Sequence, residues 1–173
     1  YFGYARQDRK AKGRQPITCK LVADMIVKAG ADHVLTVDIH SPQTMGFFDI
    51  PMDDLKSTQV FSKYLIETMK HEVAGEKITL VSPDHGGLTR IHNISNYITA
   101  LEPSVAVIDK RRPRPNECEI EFILGDVKDK ICFIIDDMID TAGTMCKASE
   151  ILKDNGAKSI NVFATHAILS GNA

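Results

Sequence analysis

The chain has 173 residues, of which 43% are hydrophobic and 25% charged, and a formal net charge of −2. That length holds one large or two small domains with a real core, and the near-neutral balance gives no global pull toward nucleic acid or an anionic membrane. No apolar stretch is long enough to cross a bilayer.

The first segment of interest is Tyr4-Ala-Arg-Gln-Asp-Arg-Lys10. Planar Arg donors suit a polyphosphate, and Gln and Asp can read a base or bind through water. Taken alone, a charged surface turn before a helix is the better reading. Residues 17–29 then predict a helix through Leu21, Val22, Met25, Ile26 and Ala29, closed by Gly30. Val34 to Val37 predicts a strand that ends at Asp38-Ile-His40. With Asp49 and Asp53 further on, these carboxylates suit a hard divalent ion such as Mg²⁺, held partly by substrate phosphates. His40 is an unusual ligand for that ion and fits a phosphate better; a hydrogen-bonded histidine with no ligand is as good a reading. A domain boundary is expected near Pro51-Met-Asp-Asp-Leu55.

Val60, Phe61, Tyr64 and Leu65 fit a second helix, and Ile78 to Val81 a second strand. That strand ends at Ser82-Pro-Asp-His-Gly-Gly87, a tight turn whose amides could hold pyrophosphate, although read alone so short a loop is better taken as a plain strand-to-helix turn. Residues 88–100 read as a helix with Ile91, Ile94 and Ile98 inward, and Val105 to Ile108 as a strand. Asp109-Lys-Arg-Arg-Pro-Arg-Pro-Asn116 follows, with four cations and two prolines. The prolines block helix and sheet ladder, so an exposed loop is expected. It is either a solvated basic surface or a mobile arm closing over a triphosphate. Residues 118–124 suggest a short strand.

The richest segment is Phe133-Ile-Ile-Asp-Asp-Met-Ile-Asp-Thr-Ala-Gly-Thr144. Ile131, Phe133, Ile134 and Ile135 read as a strand buried on both faces and ending in Asp136 and Asp137. Thr141 to Thr144 opens a helix through Met145, Ala148, Ile151 and Leu152, which stops at Asn155-Gly156. A helix N-terminus offers unpaired N–H groups to a phosphate, while adjacent carboxylates accept bonds from neighbouring ribose hydroxyls. A phosphosugar cradle is therefore favoured over an ordinary helix start with solvated acids. Ile160 to Ala164 predicts the last strand. The alternation points to an α/β fold with a mainly parallel sheet, whose ligands bind beyond the carboxyl ends of the strands. Asp38, Asp84, Lys110 and Asp136 are all expected just past strand ends.

Cys19, Cys118, Cys132 and Cys146 lack metal-site spacing. They read as reduced, cytosolic thiols, with Cys132 and Cys146 as small core residues. The opening Tyr1-Phe2, without a Met, reads as the interior of a longer polypeptide.

Taken together, YFGYARQDRK, DIHSPQTMGFFDIP, VSPDHGG, DKRRPRPNE, GDVKDK, IIDDMIDTAGT and THAILSGNA resemble class I ribose-phosphate pyrophosphokinases, or phosphoribosyl pyrophosphate synthetases, from Tyr1 to Ala173. The resemblance implies two phosphoribosyltransferase-like (type I) α/β domains, here residues 1–54 and 55–173. It implies transfer of the diphosphoryl group of ATP to the 1-hydroxyl of ribose 5-phosphate, with Mg²⁺ and release of AMP, in a cytoplasmic homo-oligomer, typically a hexamer. Carried over by residue, Arg6, Gln7, Asp8, Arg9, Lys10 and Ala11 would bind ATP. Asp38, His40, Asp49, Asp53 and Asp84 would be metal positions. Lys110 and Arg112 would be the catalytic pair. Asp136, Asp137, Asp140, Thr141, Ala142, Gly143 and Thr144 would hold ribose 5-phosphate. Gly3, His85 and Asn172 depart from the family's usual Pro, small residue and Pro, and none of them is a proposed ligand. A nucleobase phosphoribosyltransferase would share the DDMIDTAGT loop but not YARQDRK or KRRPRPN. A nonenzymatic regulatory relative would be expected to disrupt the arm, where Lys110 and Arg112 both stand.

Overall fold

The computed structural model describes residues 1–10, 12–111 and 120–173. The chain divides into two compact units, Tyr1–Ser57 and Thr58–Ala173.

The first unit opens with tight turns, in which Ala5 N–H donates to the Phe2 carbonyl and Gln7 N–H to that of Tyr4. Helix α1 (Thr18–Lys28) has no side-chain cap at Ile17. The Gln7 carbonyl accepts from Cys19 N–H at 3.1 Å instead, so the basic N-terminal segment is tied to the helix's orphan donors. Strand β1 (Val34–Val37) pairs in parallel with β2 (Met52–Leu55). The intervening Pro42–Phe47 forms a 3₁₀ turn. The stretch read from the sequence as a boundary thus contains a strand, and the division between units falls after it, at Ser57. Local patterning hid β2 because Met-Asp-Asp-Leu has no β-branched residue. Its pairing comes from β1.

The second unit begins with α2 (Thr58–Lys63), which passes through a π turn (Tyr64–Thr68) into α3 (Lys70–Val73). Strand β3 (Ile78–Ser82), a 3₁₀ turn (His85–Gly87), α4 (Leu88–Tyr97) and a second 3₁₀ turn (Thr99–Leu101) follow. Then come β4 (Ser104–Arg111), β5 (Ile120–Leu124), β6 (Ile131–Ile139), α5 (Gly143–Asp154) and β7 (Ser159–Ala167). The sheet order is β5-β4-β3-β6-β7, parallel except for the edge strand β5.

Strand alternation divides the core into two layers. Ile78, Leu80, Phe133 and Ile135 pack on one face with Leu65, Ile91, Ile94 and Ile98. Val81, Cys132, Ile134, Ala106 and Ile108 pack on the other with Met145, Ala148 and Leu152. Every residue of β3 is buried, as expected for the centre of a sheet covered on both faces. Phe163 stacks on Phe61 and Phe133, with ring centroids 5.7 and 5.6 Å apart. Gly125 has φ +118°, and a Cβ there would lie 2.7 Å from the Val105 carbonyl oxygen. A side chain is excluded both by the backbone and by the space.

Two strands outrun the sequence reading. Strand β4 continues through Asp109, Lys110 and Arg111, because β5 pairs antiparallel with it as far as Arg111 opposite Ile120. The first three residues of the expected exposed loop are therefore strand, and Asp109 is buried. Residues 112–119, including Arg112, lie outside the described residues, as does Ala11. Strand β6 continues to Ile139, because β7 carries the ladder through Asp136 opposite Ala164 and Ile139 opposite Ala167. Asp136 and Lys110 therefore lie within strands, not after them. Cys132 is buried as expected, but Cys146 is exposed on α5. Its neighbours Met145 and Ala148 take the inward positions. Cys118 lies outside the described residues.

Candidate functional site

In the second unit Asp136 and Asp137 occupy the last part of β6. Asp137 is buried and Asp136 half-buried. The two side chains leave a strand on opposite sides, yet both reach one cation. Arg90 Nη1 lies 3.5 Å from Asp136 Oδ1, and Arg90 Nη2 lies 3.9 Å from Asp137 Oδ1. Asp136 Oδ1 also accepts from Asp137 N–H at 2.8 Å. Burial pushes the Asp136 carboxyl up to about 7, with the neighbouring Asp137 adding to the rise and the Asp137 N–H and Arg90 opposing it. Asp136 therefore titrates near neutrality.

The chain leaves β6 through half-buried Asp140 and exposed Thr141 and enters α5 through Ala142 and Gly143. Ala142 takes the left-handed conformation, at φ 60° and ψ −3°. A non-glycine residue there costs on the order of 1 kcal/mol, a strain that collects at ligand-binding loops. The left-handed residue of this loop is Ala142 and not the neighbouring Gly143. Gly143 is exposed, and a Cβ on it would meet only Thr141 Oγ1, at 3.8 Å. The Ala142 carbonyl starts the helix by accepting from Cys146 N–H at 2.9 Å. The N–H groups of the first turn, Gly143 and Thr144 among them, then have no acceptor within the helix. Carboxylates on the strand and open amides on the next helix make a cradle for a polyol bearing an anion.

The second turn of this unit follows β3. Asp84 is exposed and caps the His85–Gly87 turn, its Oδ1 accepting from Gly87 N–H at 3.1 Å. Ser82 Oγ donates to the Asp84 carbonyl at 2.6 Å, and a Cβ on Gly87 would lie only 2.5 Å from that hydroxyl oxygen. Only glycine allows this close approach. His85 Nε2 lies 3.0 Å from Asp109 Oδ1, tying the turn to the strand residue that precedes Lys110.

In the first unit, Arg6, Gln7 and Arg9 line a cavity of about 380 Å³ with Gln15, Pro16 and Thr18. Asp8 does not line it. Its carboxylate accepts from Gln43 Nε2 at 2.5 Å, and the hydroxyl of Ser41 together with Gln43 holds it below the usual carboxylate range. Lys10 is exposed. An open cavity edged by two guanidinium groups and an amide suits a polyanion with a flat polar head.

The expected metal positions of this unit are bonded separately. Asp38 is buried at φ 47° and accepts from Ser57 N–H at 3.3 Å and from the Ser57 hydroxyl. Asp49 is exposed and reaches Lys20 at 3.5 Å, while Asp53 is exposed and pairs with His33 Nε2 at 2.9 Å. His40 is exposed. Among the described residues, no group of three or more His, Cys, Asp or Glu side chains is gathered for a metal ion. The donors fit an ion that arrives on substrate phosphates better than one held by a protein cage.

Sequence reading passed over two residues. Arg90 sits in the first turn of α4, and its only signal was a cation three residues after a Gly-Gly turn. Asp54, beside the nominated Asp53, is the better held of the two. It accepts from Thr36 Oγ1 at 2.8 Å, from Ile39 N–H at 2.9 Å and from Lys56 Nζ. Burial raises its pKa, and these donors, Lys56 foremost, more than offset the rise and leave it low.

Comparison with known proteins adds to the geometry. The phosphoribosyl transferase domain model matches residues 53–172, and the model of the N-terminal domain of ribose phosphate pyrophosphokinase matches residues 1–30. Ribose-phosphate pyrophosphokinase 2 of Enterococcus faecalis is 51% identical over 173 residues, covering 100% of this chain and 52% of that protein. Ribose-phosphate pyrophosphokinase of Ureaplasma parvum is 53% identical, again over 100% of this chain and 51% of its own length. The chain thus spans about half the length of the curated relatives it matches. The crystal structure of phosphoribosylpyrophosphate synthetase from Mycobacterium smegmatis superposes with a TM-score of 0.84 at 38% identity, over 99% of this chain and 53% of that one. A purine phosphoribosyltransferase from Pyrococcus horikoshii, at a TM-score of 0.50 and 22% identity, shares the fold.

Proposed function

We propose, from the premise that this chain belongs to the ribose-phosphate pyrophosphokinase branch of the phosphoribosyl transferase domain family, that the protein transfers the diphosphoryl group of ATP to the 1-hydroxyl of ribose 5-phosphate. AMP is the second product. The observation that carries this reading is the arginine-edged cavity at Arg6, Gln7 and Arg9 in a chain that also has the Asp136–Asp137 cradle. A phosphoribosyltransferase acting on a nucleobase needs the second and has no use for the first.

In this reading the sugar's hydroxyls donate to Asp136 and Asp137. Its 5-phosphate lies on the amides and hydroxyls of residues 140–144. Arg6, Gln7 and Arg9 hold the nucleotide, with Lys10 at the margin and Asp8 positioned by Ser41 and Gln43. The 1-hydroxyl attacks the β-phosphorus in line and AMP departs. Such transfers depend on positioning and on neutralising charge at the phosphoryl oxygens. Lys110, at the end of β4, and Arg112 supply cations to those oxygens. Mg²⁺ would screen the phosphate charge, with Asp38, His40, Asp49 and Asp53 as candidate donors in the first unit and Asp84 as a candidate donor in the second. A homo-oligomer in the cytoplasm is part of the same reading.

The test supplies the intact protein with ATP, Mg²⁺ and ribose 5-phosphate. AMP formed only when the sugar phosphate is present supports the proposal. No AMP, together with consumption of a nucleobase and phosphoribosyl pyrophosphate, would select the transferase reading.

A further inference from the structure

The charge count around the cradle leaves one residue without an assigned task. Arg90 stands in the first turn of α4, where the helix dipole disfavours a cation by a few tenths of a kcal/mol. Its side chain is 18% exposed, so it is also largely withdrawn from water. Ile91 and Ile94 are fully buried and fix the helix beneath it. A cation largely withdrawn from water at the wrong end of a helix needs compensation, and the compensation here is the acid pair of β6. The partners are 46 residues apart in sequence.

We infer that Arg90 is a positioning residue for the sugar site: it holds Asp136 and Asp137 ionised and side by side, as acceptors for the vicinal hydroxyls of the phosphosugar. The inference rests on the proposed function of the cradle. A ribose hydroxyl donates a stronger hydrogen bond to an ionised carboxylate than to a neutral carboxylic acid. Two acids this close cannot both stay ionised cheaply without a cation nearby. Among the described residues, Arg90 from α4 and Asp137 on the same strand are the charged groups acting on Asp136, and the β7 residue in register with it is Ala164. The guanidinium fork reaches one oxygen of each acid, which a single ammonium cannot do in the same geometry.

The sign of the pH effect follows. Binding of the sugar strengthens as pH rises through the titration of Asp136, near 7. Without Arg90 the pair keeps its proton to higher pH, so the rise in affinity moves upward. The experiment titrates ribose 5-phosphate into the intact protein by calorimetry between pH 5.5 and about 9, a window spanning the pair's titration. Wild type, Arg90→Met and Arg90→Lys are compared, with AMP formation followed in parallel. Arg90→Met should weaken sugar binding about tenfold at pH 7, shift the pH limb upward, and leave the ATP KM within about twofold. Arg90→Lys should fall between. Equal weakening for both substrates, or an unshifted limb, overturns the inference. If Arg90→Met does not fold, Arg90→Lys carries the same comparison, and wild-type affinity with a wild-type pH limb would overturn it. A wild-type protein that binds no ribose 5-phosphate removes the functional reading and this inference with it. Binding by wild type that is unaltered in both variants removes the inference alone.

Discussion

The two units handle acidic side chains in opposite ways. In the first, the acids are spread over several donors, most of them at the surface: Asp24 and Asp49 meet Lys20, Asp53 meets His33, Asp54 meets Lys56, and Asp38 accepts from Ser57. Most of these acids are exposed, where an ion pair is worth no more than about 1 kcal/mol. In the second unit two acids are drawn to a single buried guanidinium, and one of them titrates near 7. The difference shows what burial does to charge. A solvated acid is satisfied singly and its neighbours are almost irrelevant to it. A pair withdrawn from water must be satisfied as a set.

Asp137→Asn is the strongest way to break this comparison. It removes one charge from the set and leaves Arg90 facing an amide. Ribose 5-phosphate affinity should fall about a hundredfold, roughly 2.7 kcal/mol, as measured by calorimetry. A change below about threefold would mean that the buried pair serves the fold alone. Asp54→Ala comes next, because Asp54 is the acid of the first unit most like those of the second. Its side chain is 4% exposed and holds the Ile39 N–H. Removing it should destabilise the protein by about 2 kcal/mol in denaturant unfolding, with the ATP KM nearly unchanged. Asp53→Asn, one residue away but 63% exposed at the side chain, should change stability by less than about 0.5 kcal/mol. Equal effects at Asp53 and Asp54 would erase the distinction between exposed and buried acids within this unit.

Much of the architecture was legible because it is local. Ile78 to Val81 and Ile131 to Ile135 are apolar runs too short for helices, and both are strands at the centre of the sheet. The helix after Thr141 was announced by its turn chemistry and by its stop at Asn155-Gly156, and α5 ends at Asp154. Strand ends were harder to read. Asp136, Asp137, Asp109 and Lys110 look like loop residues in isolation, yet each lies in a ladder whose length is set by the neighbouring strand. Strand β2 was missed for the same reason. Among the acids, the sequence offered Asp53 and Asp54 on equal terms. In the register, Asp53 lies opposite Leu35 and Asp54 opposite Thr36, and the carboxylate of Asp54 is bonded from the opposite strand and the loop after it, whereas that of Asp53 meets His33.

The sequence by itself determined the fold class and the order of the binding segments, because apolar periodicity, glycine turns and helix starts are written in neighbouring residues. Tertiary structure decided which charges act together. Arg90 meets Asp136 across 46 residues, and His85 meets Asp109 across 24. No local pattern encodes such encounters, because they depend on how helix α4 and strands β4 and β6 pack around β3. That packing also sets burial, and burial turns a pair of ordinary aspartates into one titrating near neutrality.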